Sequence, residues 1–216
     1  MTANLTKIQS LLSDLAAVPG SATLVNPFSF EHRELDRAGA AAFRRANCEA
    51  YLRRFSKRPP RLIIVGEAAG YQGMRFSGIA FTSEYTLLHH PFFHGGGFER
   101  SAVRERPFRE PSGSIVWETI GRLEHTPLLW NLTPFHPHRP GEPLSNRAPT
   151  REERELGARF LVRVLHLFNA PKVVAAGRLA AAALAELNIT HTPVRHPSHG
   201  GKAEFQRGVL GIEKGE

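Results

Sequence analysis

Cys48 is the one cysteine in 216 residues. A lone thiol excludes an internal disulfide, a cysteine-rich zinc site and a four-cysteine iron–sulfur cluster. No apolar run approaches the roughly 20 residues of a membrane span. The start, Met1-Thr2-Ala3-Asn4, lacks the basic and long apolar regions of a signal peptide, so the cytoplasm is the expected compartment. There is no G-x-x-x-x-G-K-[ST] phosphate loop, no G-x-G-x-x-G fingerprint and no H-E-x-x-H. Internal repeats and low-complexity tracts are also missing. Acids are in short supply: 20 Asp plus Glu face 28 Lys plus Arg, a formal net charge of +8. That balance suits a polyanionic partner, because neutralising phosphates releases condensed counterions. Many basic proteins have no such partner, so charge leaves the question open.

What is present reads as a soluble globular chain, 41% hydrophobic and 22% charged. Ile8, Leu11, Leu12 and Leu15 recur at helical spacing over residues 5–17. A second helix is expected over 34–55, ending in a basic cluster before Pro59-Pro60. Strand 61–65, a helix over 114–124 and strand 128–131 follow. Thr150-Arg151-Glu152-Glu153 is a capping box that opens a helix to about Phe168. Strand 172–176, helix 178–187 and strand 192–195 complete the alternation, which predicts a parallel sheet with helical crossovers. We read residues 1–216 as a single domain, with 1–60 a helical extension packed on a core over 61–208. Residues 89–113 break the rhythm as a long connection in which Phe92, Phe93, Phe98 and Phe108 interleave with Arg100, Arg104, Arg106 and Arg109. Such interleaving fits either a nucleic-acid surface or phenylalanines that pin the loop to the core.

Three apolar runs end in polar groups. Leu62-Ile63-Ile64-Val65 enters Gly66-Glu67-Ala68-Ala69-Gly70, Leu128-Leu129-Trp130 enters Asn131, and Thr192-Pro193-Val194-Arg195 enters His196-Pro197-Ser198-His199-Gly200-Gly201. Ligands of open parallel sheets bind beyond the carboxyl ends of the strands, so the three stops should converge. Phe81 and Glu84, in Gly78-Ile79-Ala80-Phe81-Thr82-Ser83-Glu84, add a ring and an acid. A stacking ring, a bidentate amide, an imidazole and a carboxylate suit an enzyme that reads a base extruded from DNA.

With these motifs the sequence resembles the uracil-DNA glycosylase superfamily, most closely the bacterial branch with a Gly-Glu-Ala-Pro-Gly first motif. The resemblance runs from about residue 61 to 208. It also takes in Asn146-Arg147-Ala148-Pro149-Thr150-Arg151-Glu152-Glu153, Lys172-Val173-Val174-Ala175-Ala176-Gly177-Arg178 and His196-Pro197-Ser198. It implies a three-layer α/β/α sandwich around a four-stranded parallel sheet. It further implies a monomeric, cofactor-free and metal-free enzyme that hydrolyses the N-glycosidic bond of a deaminated base in DNA, uracil first among candidates, in the bacterial cytoplasm. Phe81 would stack on the extruded base and Asn131 would bond its pairing edge. Backbone amides around Glu67 and Ala68 would hold a base carbonyl. His196 would stabilise charge on the departing base, Tyr71 would shape the pocket, and Ser198, His199, Gly200, Gly201 and Lys202 would meet DNA.

Two departures from the family pattern bear on mechanism. Phe135 and Gly157 stand near positions where the iron–sulfur branch has cysteines, so that region must be held by packing, with His136, His138 and Trp130 as candidates. Ala68 stands where the classical branch has a water-activating aspartate, and Glu84 is the expected replacement. Each residue also has a plainer reading: Phe81 as core, Asn131 as a strand-end cap, His196 as a loop histidine, Glu84 as a helix N-terminal acid and Tyr71 as loop cover. The rival functions are a metal-dependent hydrolase built from some of the eleven histidines and a DNA-binding member of the same fold without catalysis.

Overall fold

The computed structural model describes residues 2–214. Residues 1, 215 and 216, which the expected domain and the N-terminal reading include, lie outside the described residues. In chain order the elements are α1 (Thr2–Ala17), β1 (Leu24–Val25), α2 (Ala40–Lys57), β2 (Leu62–Ala68), α3 (Met74–Ser77) and α4 (Glu84–His89). A 3-10 turn (Pro91–Phe93) leads to α5 (Pro111–Ile120), β3 (Leu128–Thr133), β4 (His136–Pro137) and α6 (Arg151–Phe168). The chain closes with β5 (Lys172–Ala176), α7 (Arg178–Glu186), β6 (Thr192–Val194) and α8 (Lys202–Lys214).

Strands β2, β3, β5 and β6 form one parallel sheet in the order β3-β2-β5-β6. Successive residues Ile63, Ile64 and Val65 are all fully buried, so both faces of β2 are covered. Double coverage is the signature of a parallel sheet between helical layers, the fold class expected from sequence. Ile8, Leu11, Leu12 and Leu15 of α1 belong to the same continuous core, each contributing roughly 2 kcal/mol of transfer free energy. No helix among the described residues is long and apolar enough to cross a membrane.

Several boundaries move, each for a local reason. Helix α2 begins at Ala40, not 34, because the Glu31 carboxylate accepts the Gly39 and Ala41 amides (3.2 and 3.0 Å) and fixes the N-terminus there. Strand β2 continues through Gly66, Glu67 and Ala68, paired with β3 as far as Ala68 opposite Thr133. Helix α5 starts at Pro111, whose missing amide costs nothing in a first turn. The Thr150–Glu153 capping box opens α6 as expected. Helix α8 and the short antiparallel pair β1–β4 had no signal in the sequence reading.

The long connection is pinned to the core. Phe93 is buried, Phe92 and Phe98 pack against the core, and the Arg54 guanidinium lies over both of the latter rings. Phe108 stacks on Phe76 at 5.1 Å and carries Arg104 on its face. The core reading of these phenylalanines therefore describes their placement. Beyond β3, Phe135 is fully buried edge-on against Phe160, and Gly157 lets α6 approach the backbone of Leu132 and Thr133.

His136 is also fully buried. Its Nε2 lies 2.8 Å from the Ser145 carbonyl, which makes Nε2 the protonated nitrogen, and Nδ1 has no partner. Burial lowers its pKa to about 4. A histidine held neutral in the fold contributes stability above its unfolded pKa of ~6.5 and loses it as pH falls toward the folded value. Denaturant titrations should show about 2 kcal/mol lost between pH 6.5 and 5, a loss that His136→Gln removes. An equal slope in that variant would place the titration elsewhere.

Candidate active site

The register of β2 against β3 sets Gly66 opposite Asn131. A Cβ on Gly66 would lie 2.5 Å from Asn131 Oδ1 and closer still to the Phe81 ring, so ring and amide meet over a bare Cα. Phe81 holds φ 53°, a left-handed conformation that a bulky residue adopts only when its surroundings enforce it. The Asn131 amide is buried, and its Nδ2 has only the Met74 thioether at 3.4 Å, a weak acceptor. Its pairing capacity is therefore largely unspent. The imidazole of His196 stands 6.5 Å from the Phe81 ring centre. These groups line one cleft of about 450 Å³, with Glu67, Ala68, Gly70 and Glu110 also in its walls.

His196 is held in one tautomer. Ser198 donates its backbone N–H to Nδ1 (3.2 Å), and the Ser198 hydroxyl lies 2.7 Å from the same atom. Nδ1 is thus an acceptor, and the proton sits on Nε2. Burial, then His199 and Arg195, hold the ring below the usual histidine pKa. A neutral imidazole with a free N–H can stabilise developing negative charge without first losing a proton. Glu67 is pushed upward by burial, which Arg154 partly offsets. The turn after His196 carries two left-handed residues, His199 (φ 51°) and Gly200 (φ 78°), both exposed. Lys202 opens α8 and is ion-paired with Glu118 at 2.8 Å.

Residues 53–208 match the family model for the uracil DNA glycosylase superfamily. The chain belongs to this superfamily. A crystal structure of wild-type SMUG2 from Pedobacter heparinus is similar, with a TM-score of 0.68, 14% identity and 97% of each chain covered. At that identity the likeness is one of fold. No curated protein matches the sequence.

Of the residues singled out by their likeness to the superfamily, Glu67, Ala68, Phe81, Asn131 and His196 share the cleft. Tyr71 does not line it: its amide bonds the Asn146 side chain and its ring packs edge-on against Phe108. Glu84 is also elsewhere. Its carboxylate is fully buried and accepts the Ser101 and Ala102 amides at 2.6 and 2.8 Å, with Arg100 at 3.4 Å. Those bonds tie α4 to the long connection and leave the acid no path to the cleft. Nor are the histidines gathered as a metal site: no group of three His, Cys, Asp or Glu stands close enough to hold an ion among the described residues.

Besides Glu67, a second acid reaches the cleft, Glu110, which was not among the candidates from sequence. Glu110 and Pro111 fall within the connection 89–113 as expected from sequence, and nothing along the chain signals that α5 begins there, against Gly70 and Gly73. Asn146 and Arg147 line the cleft as well, the latter held by Glu153 at 2.6 Å.

The geometry of Glu84 yields a direct test. Glu84→Ala should cost about 3 kcal/mol in urea denaturation, because two buried amides lose their acceptor. A variant of unchanged stability would contradict the anchoring role.

Proposed function

We propose that this protein is a monofunctional DNA glycosylase that hydrolyses the N-glycosidic bond of a deaminated base, with uracil the leading substrate. The observation that carries the reading is the meeting of Phe81 and Asn131 over Gly66, beside a neutral His196. An extruded base has a face to stack and an edge to pair, and the cleft offers a ring and an unspent amide for them. Amides at Glu67 and Ala68, at the end of β2, would hold a base carbonyl. As the bond breaks, its electron pair passes to the base, and Nε2–H of His196 stabilises the charge that develops there. Water then adds to the cationic sugar carbon.

The exposed His199–Gly200 turn follows His196 along the chain, and it would press into DNA with Ser198, Gly201 and Lys202 flanking it. The net charge of +8 supplies phosphate attraction. Tyr71 acts from outside the cleft, by packing the loop that carries Gly70. Glu84 acts on the fold and not on water. With Ala68 lacking a carboxylate, water is oriented by less than the classical branch provides, and turnover is expected to be slow. We read residues 1–216 as one working unit, acting on DNA as a monomer in the cytoplasm without a metal or organic cofactor.

Single- and double-stranded oligonucleotides carrying uracil, hypoxanthine or xanthine test this, with alkali cutting any abasic product. Wild type should release at least one base, and Asn131→Ala and His196→Ala should each lower single-turnover release roughly a hundredfold or more. DNA binding with no release from any lesion would make the protein a damage binder on this fold.

A further inference from the structure

Glu110 occupies the N-cap of α5, where an acid ordinarily accepts the free amides of the first turn. It does not: the side chain makes no cap hydrogen bond, and only its backbone carbonyl is used, by the Ser114 amide and hydroxyl. The carboxyl instead lies in the cleft wall, between the first turn of α5 and the Gly70–Gly73 loop. Oε2 is shut off from solvent between Gly73 and Gly113 and has no hydrogen-bond partner. Oε1 reaches toward Gly70 and Ser112, both in the cleft wall, and its one contact is the Ser112 hydroxyl at 3.4 Å. The niche is built for it. A Cβ on Gly113 would sit 2.7 Å from Oε2, and a Cβ on Gly73 would meet the carboxyl carbon at 2.8 Å and Oε2 closer still.

We infer that Glu110 touches the extruded base as a hydrogen-bond donor, and that it selects bases in which deamination has replaced an amine by a carbonyl. An ionised carboxylate needs donors around both oxygens, and this one has a single distant hydroxyl. Burial accordingly raises its pKa to about 7. The neutral acid carries an O–H that requires an acceptor in the cleft, and 3.4 Å to Ser112 is too long to satisfy it. A carbonyl oxygen or ring nitrogen of a deaminated base supplies that acceptor, whereas the amine of the parent base would set donor against donor. The inference rests on the base-release reading above and adds a second discriminating group to Asn131.

The arginines around Glu110 are engaged elsewhere. Arg147 is bound to Glu153, Arg75 of α3 to Asp36, and Arg109 lies over the Tyr85 ring. Glu67 is raised and His196 lowered by burial, so both move toward their uncharged forms.

Release of the best lesion base should be followed from pH 5.5 to 9 in wild type, Glu110→Gln, Glu110→Ala and Gly73→Ala, with melting temperatures alongside. Wild-type kcat/KM should fall as pH rises through about 7, where Glu110 ionises. Glu110→Gln, a permanent donor, should lose that alkaline decline and release base faster than Glu110→Ala at every pH. Glu110→Ala should be down roughly ten- to a hundredfold at pH 6, and Gly73→Ala, which displaces the carboxyl without removing it, should follow it. Two results overturn the inference while leaving base release intact: Glu110→Ala equal to wild type, or an inactive Glu110→Gln with wild-type rates rising with pH. No release by wild type from any lesion would overturn the underlying reading, and the inference with it.

Discussion

The site depends on one strand register. Pairing β2 with β3 so that Gly66 faces Asn131 puts a bare Cα beneath the amide, and only there can the Phe81 ring close over the same spot. A one-residue slip would turn Asn131 to the opposite face of the sheet. The hydrophobic run Leu62–Val65, buried on both faces, makes such a slip costly, so core packing and site geometry are one constraint. Phe81 adds strain that the surrounding core must hold, since its left-handed backbone is unfavourable for a side chain of that size.

The polar groups that frame this arrangement are buried in paired form. Asp36 accepts from Arg44 at 2.9 Å and Arg75 at 2.8 Å, binding the segment before α2 to α2 and α3. Burial alone would raise the Asp36 pKa, yet Arg75 and Arg44 hold it below the ordinary value. Glu84 collects the amides of Ser101 and Ala102. Arg147 joins the capping box of α6 to the Thr23 carbonyl near β1. Edge strand β3 has its Leu129 amide capped by the buried Tyr51 hydroxyl at 2.6 Å. Among the described residues, Ser56 Oγ, Glu110 Oε2, Trp130 Nε1 and His136 Nδ1 are buried side-chain atoms without a partner, and of these residues Glu110 lines the cleft, together with the lightly bonded Asn131 amide.

The four parallel strands and the helices α1 and α6 were legible because each carries a strong local signal, among them Leu62–Val65 as a continuous apolar run, Thr150–Glu153 as a reciprocal cap and Ile8 to Leu15 at helical spacing. The convergence of Asn131, His196 and the Gly66–Gly70 motif was legible from a general property of parallel sheets. Glu84 and Glu110 show where that legibility stopped. Glu84 sits three residues from Phe81 in sequence, but Phe81 turns left-handed and α4 then carries Glu84 toward Ser101. Glu110 lies 29 positions further along than Phe81, and only the packing of α5 against Gly73 brings it in. Adjacency along the chain misled for one acid and concealed the other. The phenylalanines of the long connection were ambiguous for a related reason, because the same composition serves stacking on bases and packing on a core.

The most direct test of this account is a crystal structure bound to DNA carrying a 2′-fluoro-stabilised deoxyuridine, which resists cleavage. The account predicts the uracil out of the helix, its face on Phe81, its pairing edge on the Asn131 amide and a carbonyl within hydrogen-bond distance of Glu110. A uracil still stacked in the duplex, or seated away from Gly66 and Asn131, would contradict it.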